Sequence, residues 1–197
     1  MKIYYREKSG GIEILRCFGI EGRVEIPGMI DGKLVISAAP YAFSSHMDEK
    51  EELKNASLWE VSDGLEFGRE EHVLAGNDVE EIVFPYTLKE IGRYIFYGCG
   101  NLKKLEFSDS LMQIGCGAFT GCHALEKLTV HMRQGKKSGV KEMLGEMWQR
   151  IDVNFLYEYE EARLVFPEHY DEAVENTPAR ILYTESVSYT HLRAHET

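Results

Sequence analysis

The sequence predicts an α/β protein built as a short solenoid, in which each coil holds one parallel strand followed by a turn or a short helix. Three observations lead to this prediction. A pattern of 23 residues recurs in the middle of the chain, the residues before it alternate as two strands around a turn, and the residues after it follow a helical period. One coil cannot bury its own apolar side, so a repeat of this length implies stacked coils.

Composition limits the classes of function. The length of 197 residues, with 44% hydrophobic and 11% aromatic residues, fits one folded domain with or without a small appendage. The net charge of −11 argues against a nucleic-acid partner, because nucleic-acid binding depends on clustered Lys and Arg. Twelve acidic against three basic residues lie between Met47 and Glu81, which is typical of a solvated acidic surface.

No segment has the pattern of a secretion or membrane signal. The first fourteen residues lack the apolar core of about 7–15 residues that a signal peptide needs. No window reaches the roughly 18 apolar residues of a membrane span. We therefore expect a cytoplasmic protein whose four cysteines are reduced, with export by a route not visible in the sequence as the alternative.

The repeat consists of two units that align without a gap, residues 82–104 and 105–127. Nine of the 23 positions are identical, and all but the last are apolar or glycine. The pairs are Phe84/Phe107, Leu88/Leu111, Ile91/Ile114, Gly92/Gly115, Phe96/Phe119, Gly98/Gly121, Cys99/Cys122, Leu102/Leu125 and Lys104/Lys127. A third unit begins at Leu128 and then loses the pattern, so the stack is predicted to be short.

The spacing within one unit predicts its local structure. Leu105 and Phe107 would point inward from a short strand, and the residues between and before them outward. Residues 108–110 have turn chemistry. Gly115 is predicted at a tight bend that a side chain would block.

The repeat resembles that of a known family. The segments EIGRYIFYGCGNLKKLEF and QIGCGAFTGCHALEKLTV resemble the I-G-x-x-A-F-x-G-C-x-x-L unit of the BspA-like leucine-rich repeats of bacterial proteins. Residues 24–43, VEIPGMIDGKLVISAAPYAF, are similar to the opening unit of that family, with Ala38 and Ala39 where the family has Ile-Gly. The resemblance covers residues 24–43 and 79–130, and it implies a leucine-rich-repeat solenoid over residues 24–130.

Two segments flank or interrupt the repeats. Residues 2–6 and 12–18 are predicted to form a β-hairpin, within an N-terminal cap of residues 1–23. Residues 44–78 interrupt the repeat, and the stretch DEKEELKNA favours a short helix there. Two interpretations of this interruption stay open: an irregular acidic insertion, or a degenerate coil supplied by Leu58, Val61, Leu65 and Phe67.

The period changes after the repeats, which predicts an α/β appendage over residues 131–186. A helical spacing joins Val140, Met143, Leu144, Met147, Trp148 and Ile151. Residues 153–157 and 162–166 alternate as two strands joined through residues 158–161. PEHYDEAVEN is predicted to be a second short helix, and residues 177–183 a further strand. The segment EARLVFPEHYDEAVENTPARILYTE is similar to the module that follows the repeats in some bacterial leucine-rich repeat proteins, which implies no activity.

Few residues are candidates for chemistry. Cys99 and Cys122 occupy one repeat position and should stack about 4.8 Å apart, as buried thiols rather than as a disulfide. Cys116 and Cys122 make no metal-ligand pattern with a second pair. Asp109, His123 and His131 are interpreted as solvent-exposed turn residues. No nucleophile elbow, phosphate loop or metalloprotease motif is present, so we expect no catalytic, cofactor-binding or metal-binding residue.

The candidate interaction face is the open face of the predicted strands. Its first row would hold Arg23, Glu81, Lys104 and Lys127, and its second row Glu25, Val83, Glu106 and Thr129. Four strands make a patch under about 20 Å wide, which suits a peptide or a modest protein contact. Mixed charge favours a protein partner over a polyanion. The alternative is a cross-strand charge ladder that keeps the sheet soluble.

These observations predict a non-catalytic protein-interaction module. Two alternatives stay open. One is an enzyme whose site lies in the C-terminal appendage or beyond the residues shown here. The other is a structural segment of a larger surface repeat protein.

The last eleven residues, 187–197, read VSYTHLRAHET. His191 and His195 are four apart, the spacing with which two imidazoles on one helix face can bind zinc. The same eleven residues resemble the translation of the transposase adapter used in shotgun sequencing libraries. We therefore predict that this tail is not native and that the natural chain continues past Ser186 with other residues.

Overall fold

The chain is described here from a computed structural model, which covers residues 1–61, 71–133, 137–145, 151–162 and 179–189. Fourteen strands lie in these residues: β1 Lys2–Lys8, β2 Gly11–Gly19, β3 Arg23–Glu25, β4 Met29–Ile30, β5 Lys33–Ala38, β6 Ser57–Glu60, β7 His72–Val73, β8 Glu81–Val83, β9 Glu90–Ile91, β10 Lys104–Ser108, β11 Gln113–Ile114, β12 Lys127–Arg133, β13 Ile151–Ala162 and β14 Ala179–Tyr189. Two short helices accompany them, α1 Glu49–Glu52 and α2 Val140–Gly145, with a 3-10 turn at Gly76–Asp78.

The strands form two sheets, between which the chain winds as a solenoid. The front sheet has the order β14-β13-β12-β10-β8-β3, and the strands from β3 to β13 are parallel. The back sheet has the order β11-β9-β5-β2-β1-β6, with β4 and β7 attached to it. The predicted solenoid is therefore confirmed. Turns close the second and third coils where the prediction allowed a short helix.

Three coils stack on one another: the first coil (residues 24–44), the second coil (82–104) and the third coil (105–127). Each contributes one phenylalanine to a ring stack inside the solenoid. Phe43 and Phe96 lie with ring centroids 5.8 Å apart, and Phe96 and Phe119 lie 5.6 Å apart. All three rings are buried in one apolar cluster that runs from the hairpin to β13. Burying each such side chain stabilises the fold by about 1.5–3 kcal/mol.

The described residues of the interval 45–78, which are 45–61 and 71–78, form an insertion between the first and second coils along the chain. The strand β3 pairs directly with β8, and β5 pairs directly with β9, so the first coil lies against the second. Within the insertion, β6 pairs with β1 and β7 pairs with β2. Leu58 and Val61, two of the four residues named in the degenerate-coil interpretation, are exposed on the edge strand β6 and just after it, and the choice between the two interpretations stays a prediction. Leu65 and Phe67 lie outside the described residues.

The predicted N-terminal hairpin consists of β1 and β2. Strand β2 pairs with β5 of the first coil, so the hairpin extends the back sheet at the N-terminal end of the stack. A β-bulge shifts its register: Tyr4 pairs with Arg16 and Tyr5 with Ile14, which leaves Leu15 as the extra residue. Leu15 packs in a second, small apolar cluster with Ala39 and Met47. The insertion therefore contributes apolar cover to the outer side of the hairpin.

The C-terminal residues differ from the prediction in two respects. The strand β13 runs unbroken from Ile151 to Ala162, so Ile151 is not helical and residues 158–161 do not join two strands. Its backbone pairs with β14 along most of this length and with β12 over residues 153–158, so most of its N–H and C=O groups have hydrogen-bond partners. This pairing explains why the strand continues through charged residues. The strand predicted over residues 177–183 is confirmed from Ala179 onward and continues to Tyr189, whereas residues 177 and 178 lie outside the described residues.

Parts of the predicted appendage and tail lie outside the described residues: Met147, Trp148, the strand residues after Ala162, the second short helix, His191 and His195. The residues of the adapter-like tail that are described, Val187, Ser188 and Tyr189, pair in β14 with β13. The non-native origin of residues 187–197 stays a prediction, as do the domain boundaries.

Candidate interaction face

The front sheet aligns the predicted face residues in two rows. In the first row Arg23 pairs with Glu81, Glu81 with Lys104, and Lys104 with Lys127. In the second row Glu25, Val83, Glu106 and Thr129 are neighbours in the same order. The residues between the rows, such as Leu105, are buried. The predicted register is confirmed, whereas contact with a partner stays a prediction.

Ion pairs link three of the four charges in the first row, Arg23, Glu81 and Lys104, and the row as a whole carries a net charge of +2. Glu81 accepts a hydrogen bond from the Lys104 ammonium on one side, and its carboxylate lies 3.8 Å from the guanidinium Nε of Arg23 on the other. The hydrogen bond from Lys104, together with the positive charges of Lys104 and Arg23, lowers the pKa of Glu81. Exposed pairs of this kind contribute about 0.2–1 kcal/mol each, so this row fits the charge ladder that the sequence offered as an alternative.

The second row is less charged and less accessible. Glu25 is exposed and Val83 is half-buried. The Glu106 carboxylate lies 3.0 Å from the His131 ring nitrogen Nε2. Thr129 retains only 8% exposure, so its prediction as an accessible face residue is wrong. The sequence could not show this, because β13 adds a further strand beside Thr129, at Asn154.

The ends of the front strands carry a cluster that the sequence interpretation missed. Asp109 was predicted to be exposed, yet its side chain is fully buried, and Arg133 binds it with Nε at 3.0 Å and Nη2 at 2.8 Å from Oδ1. His131 lies in β12 rather than in a turn, and its ring centroid is 5.6 Å from that of Tyr86. His123 is an exposed turn residue, as predicted. We call Tyr86, Glu106, Asp109, His131 and Arg133 the end cluster.

The sequence contained one signal for the end cluster. Thr129, His131 and Arg133 alternate with the apolar Leu128, Val130 and Met132, the pattern of a strand longer than those of the other coils. Recognising that length would have placed His131 and Arg133 on the front sheet. The burial of Asp109 depends on Arg133, which is 24 residues away, and no local spacing indicates it.

Serine, histidine and glutamate meet near this cluster, since Ser108 pairs with His131 and His131 contacts Glu106. These are the residue types of acyl-transfer sites. The Ser108 hydroxyl, however, donates to the Tyr86 carbonyl at 3.4 Å and accepts from the Ser110 N–H at 3.2 Å. Its bonds therefore serve the turn, and Ser108 is itself buried.

The repeat cysteines form the predicted ladder of buried thiols. Cys99 and Cys122 are free, and each Sγ donates to the carbonyl of the phenylalanine one coil earlier, at 3.2 Å to Phe43 and 3.3 Å to Phe96. Burial raises the pKa of each thiol to about 12. Cys116, in contrast, is exposed at the corner of the third coil.

Across the described parts of the chain, no cluster of three or more potential ligands could hold a metal ion. Over the same residues, no helix has both the length and the apolar character needed to cross a membrane.

Comparisons with known proteins agree with the repeat. Residues 70–139 match the family described as "BspA type Leucine rich repeat region (6 copies)". A leucine rich cell surface protein from Faecalibacterium prausnitzii is 18% identical, with a TM-score of 0.41, and the match covers 73% of this chain and 33% of that one. The T. pallidum leucine rich repeat protein is 23% identical, with a TM-score of 0.30 and coverage of 71% and 76%. This chain therefore spans about a third of the first structure. No curated protein matches.

Proposed function

Because this chain carries a BspA-type leucine-rich repeat region, we propose that it is a non-catalytic module that presents its front-sheet face to a protein or peptide partner. The observation that carries the proposal is the register of the two rows across four parallel strands. Such a sheet fixes the spacing of the positions from which the outward side chains project, so a partner meets them in a constant register.

The part of the face around Val83, next to the end cluster, is the better candidate for the centre of contact. In the first row Glu81 is already paired with Lys104 and Arg23, and rim charges of this kind add little affinity. Tyr86 is 43% exposed, the His131 ring centroid lies 5.6 Å from its own, and Arg133 follows His131 by two residues in β12. Tyrosine and arginine are among the residue types that dominate binding energy in interfaces.

A non-catalytic role is supported by how the polar groups of the described residues are used. Asp109 is bound by Arg133, the Ser108 hydroxyl serves a turn, and the repeat thiols donate to backbone carbonyls. Each of these contacts stabilises the scaffold. In the proposed role the protein supplies a surface, and the partner determines the specificity.

Photo-crosslinking in cells tests the proposal. A benzophenone amino acid would replace Val83 or Lys127 on the face of the full chain, and Lys89 or Thr120 as matched positions elsewhere on the second and third coils. We expect adducts of defined mass from the face positions and none from the controls. Equal adduct formation at all four positions would refute the face as the binding surface.

The compartment is a separate question. The comparisons give the cytoplasmic expectation no support, and one similar structure is described as a cell surface protein. Fractionation of cells, with protease treatment of intact cells, decides between the cytoplasm and export by a route not visible in the sequence.

A further inference from the structure

Backbone hydrogen bonds hold the turns of successive coils together in one direction. Tyr94 and Phe96 of the second coil donate their N–H groups to the carbonyls of Cys116 and Ala118 in the third coil, both at 3.1 Å. Gly98 likewise donates to the Thr120 carbonyl at 3.0 Å. Each turn therefore needs donors from the coil before it.

The first coil repeats this arrangement towards the second. Its Tyr41 and Phe43 N–H groups donate to the carbonyls of Arg93 and Ile95, at 3.3 and 3.0 Å. By this register, the carbonyl of Ala42 corresponds to those of Ile95 and Ala118. The carbonyl of Ser44 corresponds to that of Thr120. A coil in front of the first one would have to supply donors to both carbonyls.

A single side chain of the hairpin meets these carbonyls. Arg16 Nη1 donates to the Ala42 carbonyl at 3.1 Å and to the Ser44 carbonyl at 2.7 Å. A third contact, to the Tyr41 carbonyl, measures 3.3 Å. We infer that Arg16 closes the N-terminal end of the solenoid by taking the place of the N–H donors of a preceding coil.

The hairpin performs the same substitution for the back sheet. Ala39 donates its N–H to the Ile14 carbonyl at 2.8 Å, as Gly92 does to the Ala38 carbonyl at 2.9 Å. The bulge at Leu15 alters the strand register next to Arg16. Strand β2 and Arg16 together therefore provide the hydrogen bonds that a coil would provide.

The insertion supplies the charge that this position requires. The Arg16 side chain is 3% exposed, and a buried guanidinium without a counter-ion would be costly. Glu49 at the start of α1 accepts from Arg16 Nε and lies at 3.0 Å from Nη2. The end of the solenoid is thus closed by three segments at once: the hairpin, the first turn and the insertion.

This closure restricts assembly. A coil or a second copy of the chain stacked on the N-terminal end would have to displace Arg16 from the Ala42 and Ser44 carbonyls. Stacking on this end would therefore break bonds that the chain already makes, whereas binding to the front-sheet face leaves the contacts of Arg16 intact.

Substitution of Arg16 tests the inference in the full chain. Arg16→Met keeps the apolar stem and removes the donors, and we expect the unfolding equilibrium constant in urea to rise by roughly a hundredfold or more. The matched control is Arg23→Met, which removes an exposed arginine at the start of β3 and should change that constant less than about fivefold. Equal effects of the two substitutions would overturn the inference.

Chemical rescue separates the donor role from general packing. In Arg16→Gly, millimolar methylguanidinium should raise the thermal midpoint, or the refolding yield where the variant does not fold alone. Methylammonium, which carries charge without the planar set of donors, should not. Rescue by both salts to the same extent, or by neither, would show that the hydrogen bonds to Ala42 and Ser44 are not what Arg16 contributes.

Discussion

The first and third coils follow one backbone path but meet different neighbours on their N-terminal side. A Cβ placed on Gly115 would lie 2.2 Å from the Arg93 backbone nitrogen of the second coil. The equivalent residue of the first coil is Ala39, whose side chain is buried in the small cluster with Leu15 and Met47. The glycine is therefore required by the contact between two coils. It is not required by a bend, since Gly115 is not among the residues with positive φ.

The residue with left-handed backbone lies two positions later. Tyr41 has φ 58°, Tyr94 φ 52° and Gly117 φ 66°, so every coil turns at this position whatever its side chain. The Tyr41 and Tyr94 rings stack with centroids 5.6 Å apart. Such ring pairs contribute about 0.5–1.5 kcal/mol, which offsets a strain of about 1–2 kcal/mol for a non-glycine residue there. Tyrosine is thus tolerated where the neighbouring coil supplies a ring to stack on.

The largest expected effect comes from the phenylalanine stack that both ends share. Phe96→Ala removes the ring between Phe43 and Phe119, and we expect it to lower the free energy of unfolding by about 3–5 kcal/mol in urea titration. Phe18→Ala, which removes a half-buried ring beside Tyr4 outside this stack, is the control with a smaller loss. Similar losses would mean that the stack does not dominate the core.

The second largest loss of stability is expected from the comparison of Gly115 with Ala39. Gly115→Ala should lower the free energy of unfolding by about 3 kcal/mol, because backbone atoms of the second coil cannot move aside easily. Ala39→Gly, the reverse change in the first coil, should cost about 1–2 kcal/mol through lost methyl burial and added chain entropy. If Gly115→Ala were no worse than Ala39→Gly, the contact between coils would not be the reason for the glycine.

The thiol ladder predicts a dependence on pH. The pKa of Cys122 is about 12 in the folded chain against an ordinary value of 9.0, so the unfolded chain loses this proton first. Stability is then fully present below about pH 9 and is lost as the pH rises towards 12, by about 1.4 kcal/mol per unit for one thiol. At pH 10, urea titrations should show that the wild type has lost about 1.4 kcal/mol of its free energy of unfolding through this thiol. Cys122→Ala should lack this part of the loss. Parallel curves for the two proteins between pH 7 and 10 would contradict it.

The smallest effect is expected on the front-sheet face. Lys104→Met should change the free energy of unfolding near pH 7 by less than about 1 kcal/mol, because the ion pair with Glu81 is exposed. The pKa of Glu81 is lower in the folded chain than in the unfolded chain, so its carboxylate adds stability at pH values above the unfolded pKa. This stability is lost as the pH falls through the folded pKa. NMR titration should show the pKa of Glu81 rising in the variant. An unchanged pKa of Glu81 would mean that the other nearby positive charges, those of Arg23 and Lys103, account for its lowering.

Much of the fold and part of the candidate face could be predicted because the repeat places equal positions above one another. Once residues 82–104 align with residues 105–127, the ladder of Cys99 and Cys122 and the row of Glu81, Lys104 and Lys127 follow from one strand spacing. The contacts that deviate from the repeat could not be predicted in this way. Arg133 reaches Asp109, and β13 covers Thr129, through pairings that only the folded chain brings together.

The amino-acid sequence by itself determined the solenoid, its coil length and the residues that face outward on the front sheet, because apolar spacing sets which side of a strand is buried. The tertiary structure decided how the stack ends. Arg16 reaches the carbonyl of Ser44 and the carboxylate of Glu49, 28 and 33 residues further along the chain. Nothing in the residues around Arg16 shows which carbonyls lack a donor, since that depends on where the first coil comes to lie.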